Sequence, residues 1–79
     1  MGVKLWMIMT IFGAVHGTVG PLPYGYTTCV KEATMLNHNI DRSYKSGKRL
    51  KMYGKTVTPN DMVFACIFLD ERPQLEKAD

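Results

Sequence analysis

A chain of 79 residues leaves room for one small domain and no more, and a domain this short buries too small a share of its surface to stand comfortably without a staple. Ten basic against seven acidic side chains give a net charge of +3, which permits attraction to phosphate or anionic lipid but is too small to imply either. Much of the 46% hydrophobic content lies in one run near the N-terminus, so whatever excludes that run has a thin core.

That run comes first. Lys4 precedes the apolar stretch from Leu5 to Val15, which is interrupted only by Thr10 and Gly13, and small or turn-prone residues follow from Gly17 to Pro21. A basic start, an apolar middle and a small-residue exit are the parts of a secretory signal, so the order predicts a leader over residues 1–17, cut after Val15-His16-Gly17. As a helix the run would be roughly 16 Å long, about half the hydrocarbon thickness of a bilayer and too short to span it relaxed. An uncleaved membrane anchor and a buried N-terminal helix are the alternatives. Lipid anchors are disfavoured: Trp6 stands where a myristoylation motif needs Ser or Thr, and Tyr26-Thr27-Thr28 before Cys29 is no lipobox.

Residues 18–26, TVGPLPYGY, mix prolines, glycines and tyrosines and predict an extended lead-in without regular structure. The folded domain is expected over 27–73. Its first element is a helix from about Thr28 to about Asn39, because Cys29, Ala33, Leu36 and Ile40 fall on one helical face. Thr27 or Thr28 would be the N-cap, Glu32 would suit the positive end of the helix dipole, and the Asn-His-Asn cluster would end it. Asp41 to Lys55 is strongly basic and predicts either a loop or a twisted hairpin turning at Ser46-Gly47. Thr58, Pro59 and Asp61 match the start of a single helical turn. MVFACIFL, Met62 to Leu69, is a continuous apolar run that reads as the central strand. Residues 74–79 are expected to be a flexible tail. The fold class is therefore α+β: one helix packed on a short antiparallel sheet or hairpin.

Only two cysteines exist, Cys29 on the helix face and Cys66 in the strand. In an exported chain they would pair and close a loop of 36 residues, worth about 3 to 4 kcal/mol in the chain-entropy model. A metal site is not expected, because Cys29, Cys66 and His38 are too few ligands and lie too far apart. Nor is catalysis or a cofactor. Ser43, Ser46, His38 and Asp41 lie near one another in sequence without a nucleophile elbow, Asp70 and Glu71 read as solvated strand-end charges, and no glycine loop sits between a strand and a helix. The best surface candidate is the basic cluster of Arg42, Lys45, Lys48, Arg49, Lys51 and Lys55 interleaved with Tyr44 and Tyr53. Such a mixture can hold single-stranded nucleic acid; outside the cytoplasm it would sooner meet an anionic envelope surface or an acidic protein.

The layout of leader, YTTCVKEA helix start, basic middle and closing VTPNDMVFACIFLDERP with the second cysteine resembles that of small exported proteins in phage and prophage genomes. The resemblance implies an exported, disulfide-stapled miniature and passes on no catalytic residue. The expectation is a non-enzymatic binding protein of the periplasm or cell envelope, plausible as a phage product, with an envelope protein or anionic envelope surface as partner. The alternatives are an accessory held at the inner membrane by an uncleaved leader, serving lysis or superinfection exclusion, and a cytoplasmic nucleic-acid-binding protein using residues 42–55.

Overall fold

The computed structural model describes residues 2–75. In chain order these form β1 (Lys4–Ile11), β2 (Ala14–Val19), α1 (Tyr26–Lys45), β3 (Leu50–Met52), β4 (Lys55–Val57) and β5 (Met62–Leu69). β2, β1 and β5 make an antiparallel sheet in that order, and β3 pairs with β4 in a separate two-stranded ribbon. The α+β class holds, with one helix packed on the sheet and a Cys29–Cys66 disulfide tying the two together.

The stretch expected to be a leader occupies the middle of this sheet. Leu5, Trp6, Met7, Ile8 and Ile11, all in β1, are five of the eight buried hydrophobic residues among those described. An apolar run bounded by a turn has the same composition whether it is the core of a signal or a strand covered on both faces, and periodicity cannot separate the two. Here Phe12 and Gly13 adopt positive φ (52° and 83°), the pair of values that a two-residue type I′ hairpin turn needs, and the chain folds back as β2. Consequently β5 is an edge strand instead of the central one. His16 is the extra residue of a bulge, since Met9 pairs with Gly17 and Thr10 already with Val15.

Alternation along β1 divides the core. Leu5 and Met7 point to the helix side and cluster with Cys29 and Ala33, joined by Leu22, Tyr24, Phe64 and Cys66. Trp6 and Ile8 point to the other side. There Arg72 lies 5.1 Å from the Trp6 ring centroid and donates to Thr18 Oγ1 (2.9 Å) and to the Gly20 carbonyl (3.2 Å), so the C-terminal segment pins the N-terminal hairpin. Trp6 Nε1 donates to the Leu69 carbonyl at 3.0 Å, and Pro73 is buried. Of the expected tail, 74–75 are exposed and the remainder lies outside the described residues.

The helix is longer than expected at both ends. Its N-cap is Gly25 without a side-chain cap, so Thr27 and Thr28 lie inside the first turn and Glu32 beyond it. Asn37, His38 and Asn39 do not stop it, because their low propensities cost only tenths of a kcal/mol each, whereas Ile40 and Tyr44 continue the apolar stripe. It ends at Ser46-Gly47, where Gly47 has φ +101°. Gly47 N–H donates to the Tyr44 carbonyl and Lys48 N–H to the Ser43 carbonyl, the two bonds of a Schellman cap. The hairpin then turns at Tyr53-Gly54, not at Ser46-Gly47, again with positive φ at both positions (53° and 74°). The single turn at Thr58 forms as expected: Asp61 accepts from Thr58 N–H (3.0 Å) and Oγ1 (2.8 Å), and Asp61 and Met62 N–H donate to the Thr58 carbonyl.

The disulfide suggests an oxidising environment. Among the described residues, no helix is long and apolar enough to cross a membrane.

Candidate functional site

Between the C-terminal half of α1, the β3–β4 ribbon and the start of β5 lies an open groove of about 430 Å³. Three elements build it, one with the helical period and two with the strand period. Leu36 and Ile40 come from the helix at a spacing of four, which puts them on one face. Leu50 and Val57 are paired across the ribbon and so project from the same side of it, and Met62 and Phe64 are alternate residues of β5. These six side chains give the groove an apolar floor. Tyr44, Lys48 and Arg49 line it as well, together with Asn39 and Ser43.

The basic group is held in place by local bonds. Arg49 lies over the Tyr44 ring, 3.9 Å from its centroid, and its Nη1 donates to the Tyr44 carbonyl and to the Lys48 carbonyl. The guanidinium therefore sits against the end of α1 while Nη2 and Nε keep donors for another group. The helix carbonyls at that end are already engaged, Arg42 by Ser46 N–H, Ser43 by Lys48 N–H, and Tyr44 by Gly47 N–H and Arg49.

The rest of the expected basic cluster is spread elsewhere. Lys45 pairs with Asp41 on the helix surface at 3.0 Å, an exposed i,i+4 ion pair of small energetic weight. Arg42 borders a second depression with Asn39, Ser43 and Ser46. Lys51 alternates with Leu50 and so projects from the other side of the ribbon. Tyr53 and Lys55 serve the contact between the two hairpins: Tyr53 lies 6.4 Å from the His16 ring, and Lys55 Nζ 5.8 Å from the Phe12 ring. Both turns thus place an aromatic residue where Asn would be less strained, and each aromatic meets a residue of the other hairpin.

Among the described residues, two titratable groups outside the groove depart from their ordinary behaviour. Burial is the main cause that raises the Tyr24 pKa, with the Glu32 carboxylate, which accepts its hydroxyl at 3.4 Å, adding to it. Asp61 is lowered, chiefly by the Thr58 backbone bond, then by the Thr58 hydroxyl, with partial desolvation opposing and Lys55 helping slightly. Among the described residues, no three of His, Cys, Asp and Glu come close enough together to hold a metal ion.

Sequence reasoning found the cations of the groove and missed its floor. Leu36 and Ile40 were legible as a helical face, but their partners Leu50, Val57, Met62 and Phe64 meet them only through tertiary packing. No protein-family model, curated protein or solved structure matches the chain.

Proposed function

We propose that the protein is a non-enzymatic binding protein working in an oxidising compartment, exported to the periplasm or cell envelope, and that it binds through the groove between α1 and the β3–β4 ribbon with residues 4–19 still in place. The observation that carries the reading is the groove itself: an apolar floor open to solvent, with Lys48 and Arg49 held beside it. Apolar surface facing water in a chain with so small a core is a liability unless something covers it. The disulfide fits an exported setting. Nucleic acid is the weaker candidate, because the eight basic and aromatic residues are divided between helix, groove and ribbon, whereas a single strand wants one continuous track.

The test is co-sedimentation of the oxidised protein with bacterial cell envelopes. The reading expects the wild type to sediment and the Lys48→Glu, Arg49→Glu double variant, confirmed folded by circular dichroism, to stay in the supernatant. Equal partition of the two would overturn it.

A further inference from the structure

The chemistry of the groove is one-sided. Leu36 and Leu50 remain 36% and 47% exposed although both line it, so its floor presents hydrocarbon to water. Among the described residues, its charged lining groups are both cations, Lys48 and Arg49, and none is a carboxylate. A helix C-terminus normally presents bare carbonyls and a partial negative charge, which would repel an anion. Here the Schellman bonds and Arg49 occupy the carbonyls of Ser43 and Tyr44, and Ser46 N–H occupies that of Arg42, so an approaching anion meets donors in their place. The volume, about 430 Å³, lies within the range of small-molecule sites.

Resting on the proposed binding function and deepening it, we propose that the groove takes a free single-chain anionic amphiphile, its hydrocarbon chain on the floor formed by Leu36, Ile40, Leu50, Val57, Met62 and Phe64 and its carboxylate at Lys48 and Arg49. A single chain is favoured over the face of a bilayer because the floor is a recess between elements instead of a projecting apolar face, and envelopes would retain the protein through single anionic chains that it draws from them. Charge selects the head: a carboxylate gains charge-assisted hydrogen bonds from Nη2 or Nε of Arg49 and from Lys48 Nζ, which a neutral or cationic head cannot form. Chain length sets the strength, at about fourfold tighter binding for each methylene that leaves water.

The experiment is isothermal titration of the full, oxidised chain with dodecanoate below its micelle concentration, alongside octanoate, dodecyltrimethylammonium and dodecyl maltoside, with backbone amide shifts recorded by NMR. The proposal expects one site, dodecanoate tighter than octanoate and than either dodecyl compound without an anionic head, and shifts centred on Leu36, Leu50 and Phe64. Lys48→Gln with Arg49→Gln should weaken dodecanoate about tenfold or more while leaving dodecyl maltoside unchanged. The exposed Leu50→Ser change should weaken every chain compound without unfolding the protein. Equal binding of the cationic analogue, shifts centred elsewhere, no binding at all, or binding only to phosphatidylglycerol vesicles would each overturn it. The functional reading fails separately: if dodecanoate does not bind while the charge-reversed variant still loses the envelope, only the ligand class falls.

Discussion

The side-chain amide of Asn37 pairs with the backbone of Phe64 on both sides: Nδ2 donates to the Phe64 carbonyl at 3.1 Å, and Oδ1 accepts the Phe64 N–H at 2.7 Å. A helix residue thus does for the free edge of β5 what a neighbouring strand would do. It fastens α1 to the sheet beside the groove and blocks pairing of that edge with another chain.

Replacing Asn37 by Leu leaves both Phe64 groups unpaired, and we expect a loss of about 1–3 kcal/mol in chemical denaturation together with concentration-dependent self-association by ultracentrifugation. Asn37→Asp keeps an acceptor but sets a second oxygen against the Phe64 carbonyl. Its defect should shrink in acid, where the carboxyl carries a proton it can donate. A fully stable, monomeric Leu variant would show that the clamp is ornamental.

Cys29 is fully buried and its bridge to Cys66 spans a sequence separation of 37. Cys29→Ala with Cys66→Ala should cost about 4 kcal/mol, much of the stability a domain this size can have. Dispersed NMR signals that collapse on adding reductant are the expected result. Unchanged dispersion would mean that packing alone holds the fold.

Gly20 sits at φ +147°, and a Cβ there would lie 2.8 Å from Trp6 Cε3 and 3.1 Å from the Leu5 carbonyl oxygen. Gly20→Ala should destabilise by about 1–3 kcal/mol, read as a lowered thermal midpoint. Gly17→Ala, whose Cβ would meet only ordinary contacts with Met9, should be neutral or slightly stabilising. Equal effects would refute the close approach of Trp6 to this turn.

The bonds from Thr58 lower the Asp61 pKa in the folded state. A lowered folded pKa means that the stabilisation is fully present above the ordinary carboxylate value and is lost as pH falls through the lowered one. Urea midpoints followed from neutral pH into acid should therefore decline less steeply for Asp61→Asn than for the wild type. Parallel curves would assign the acid limb to other groups.

The elements legible in the sequence were those whose signal is local. Cys29, Ala33, Leu36 and Ile40 announce a helix by spacing alone, the Thr58 to Asp61 turn by its side-chain chemistry, and the cysteine pair by its count. β1 was not legible as a strand, because Leu5 to Ile11 is apolar on both faces and lacks the alternation that would separate it from a signal. Reading β1 as a leader leaves β5 as the central strand of the sheet. Asn37 looked like part of a helix-ending cluster, since nothing local says that Phe64 needs a partner. In the groove, the cations stood out by charge, while the six floor residues come from three elements distant in sequence.

The most direct measurement is the intact mass of the folded protein recovered from an exported fraction, with and without reductant. The account predicts a chain that retains residues 4–19, because β1 is the centre of its sheet, and that gains two hydrogens on reduction of Cys29–Cys66. A folded species beginning near Thr18, or cysteines already reduced on recovery, would contradict it.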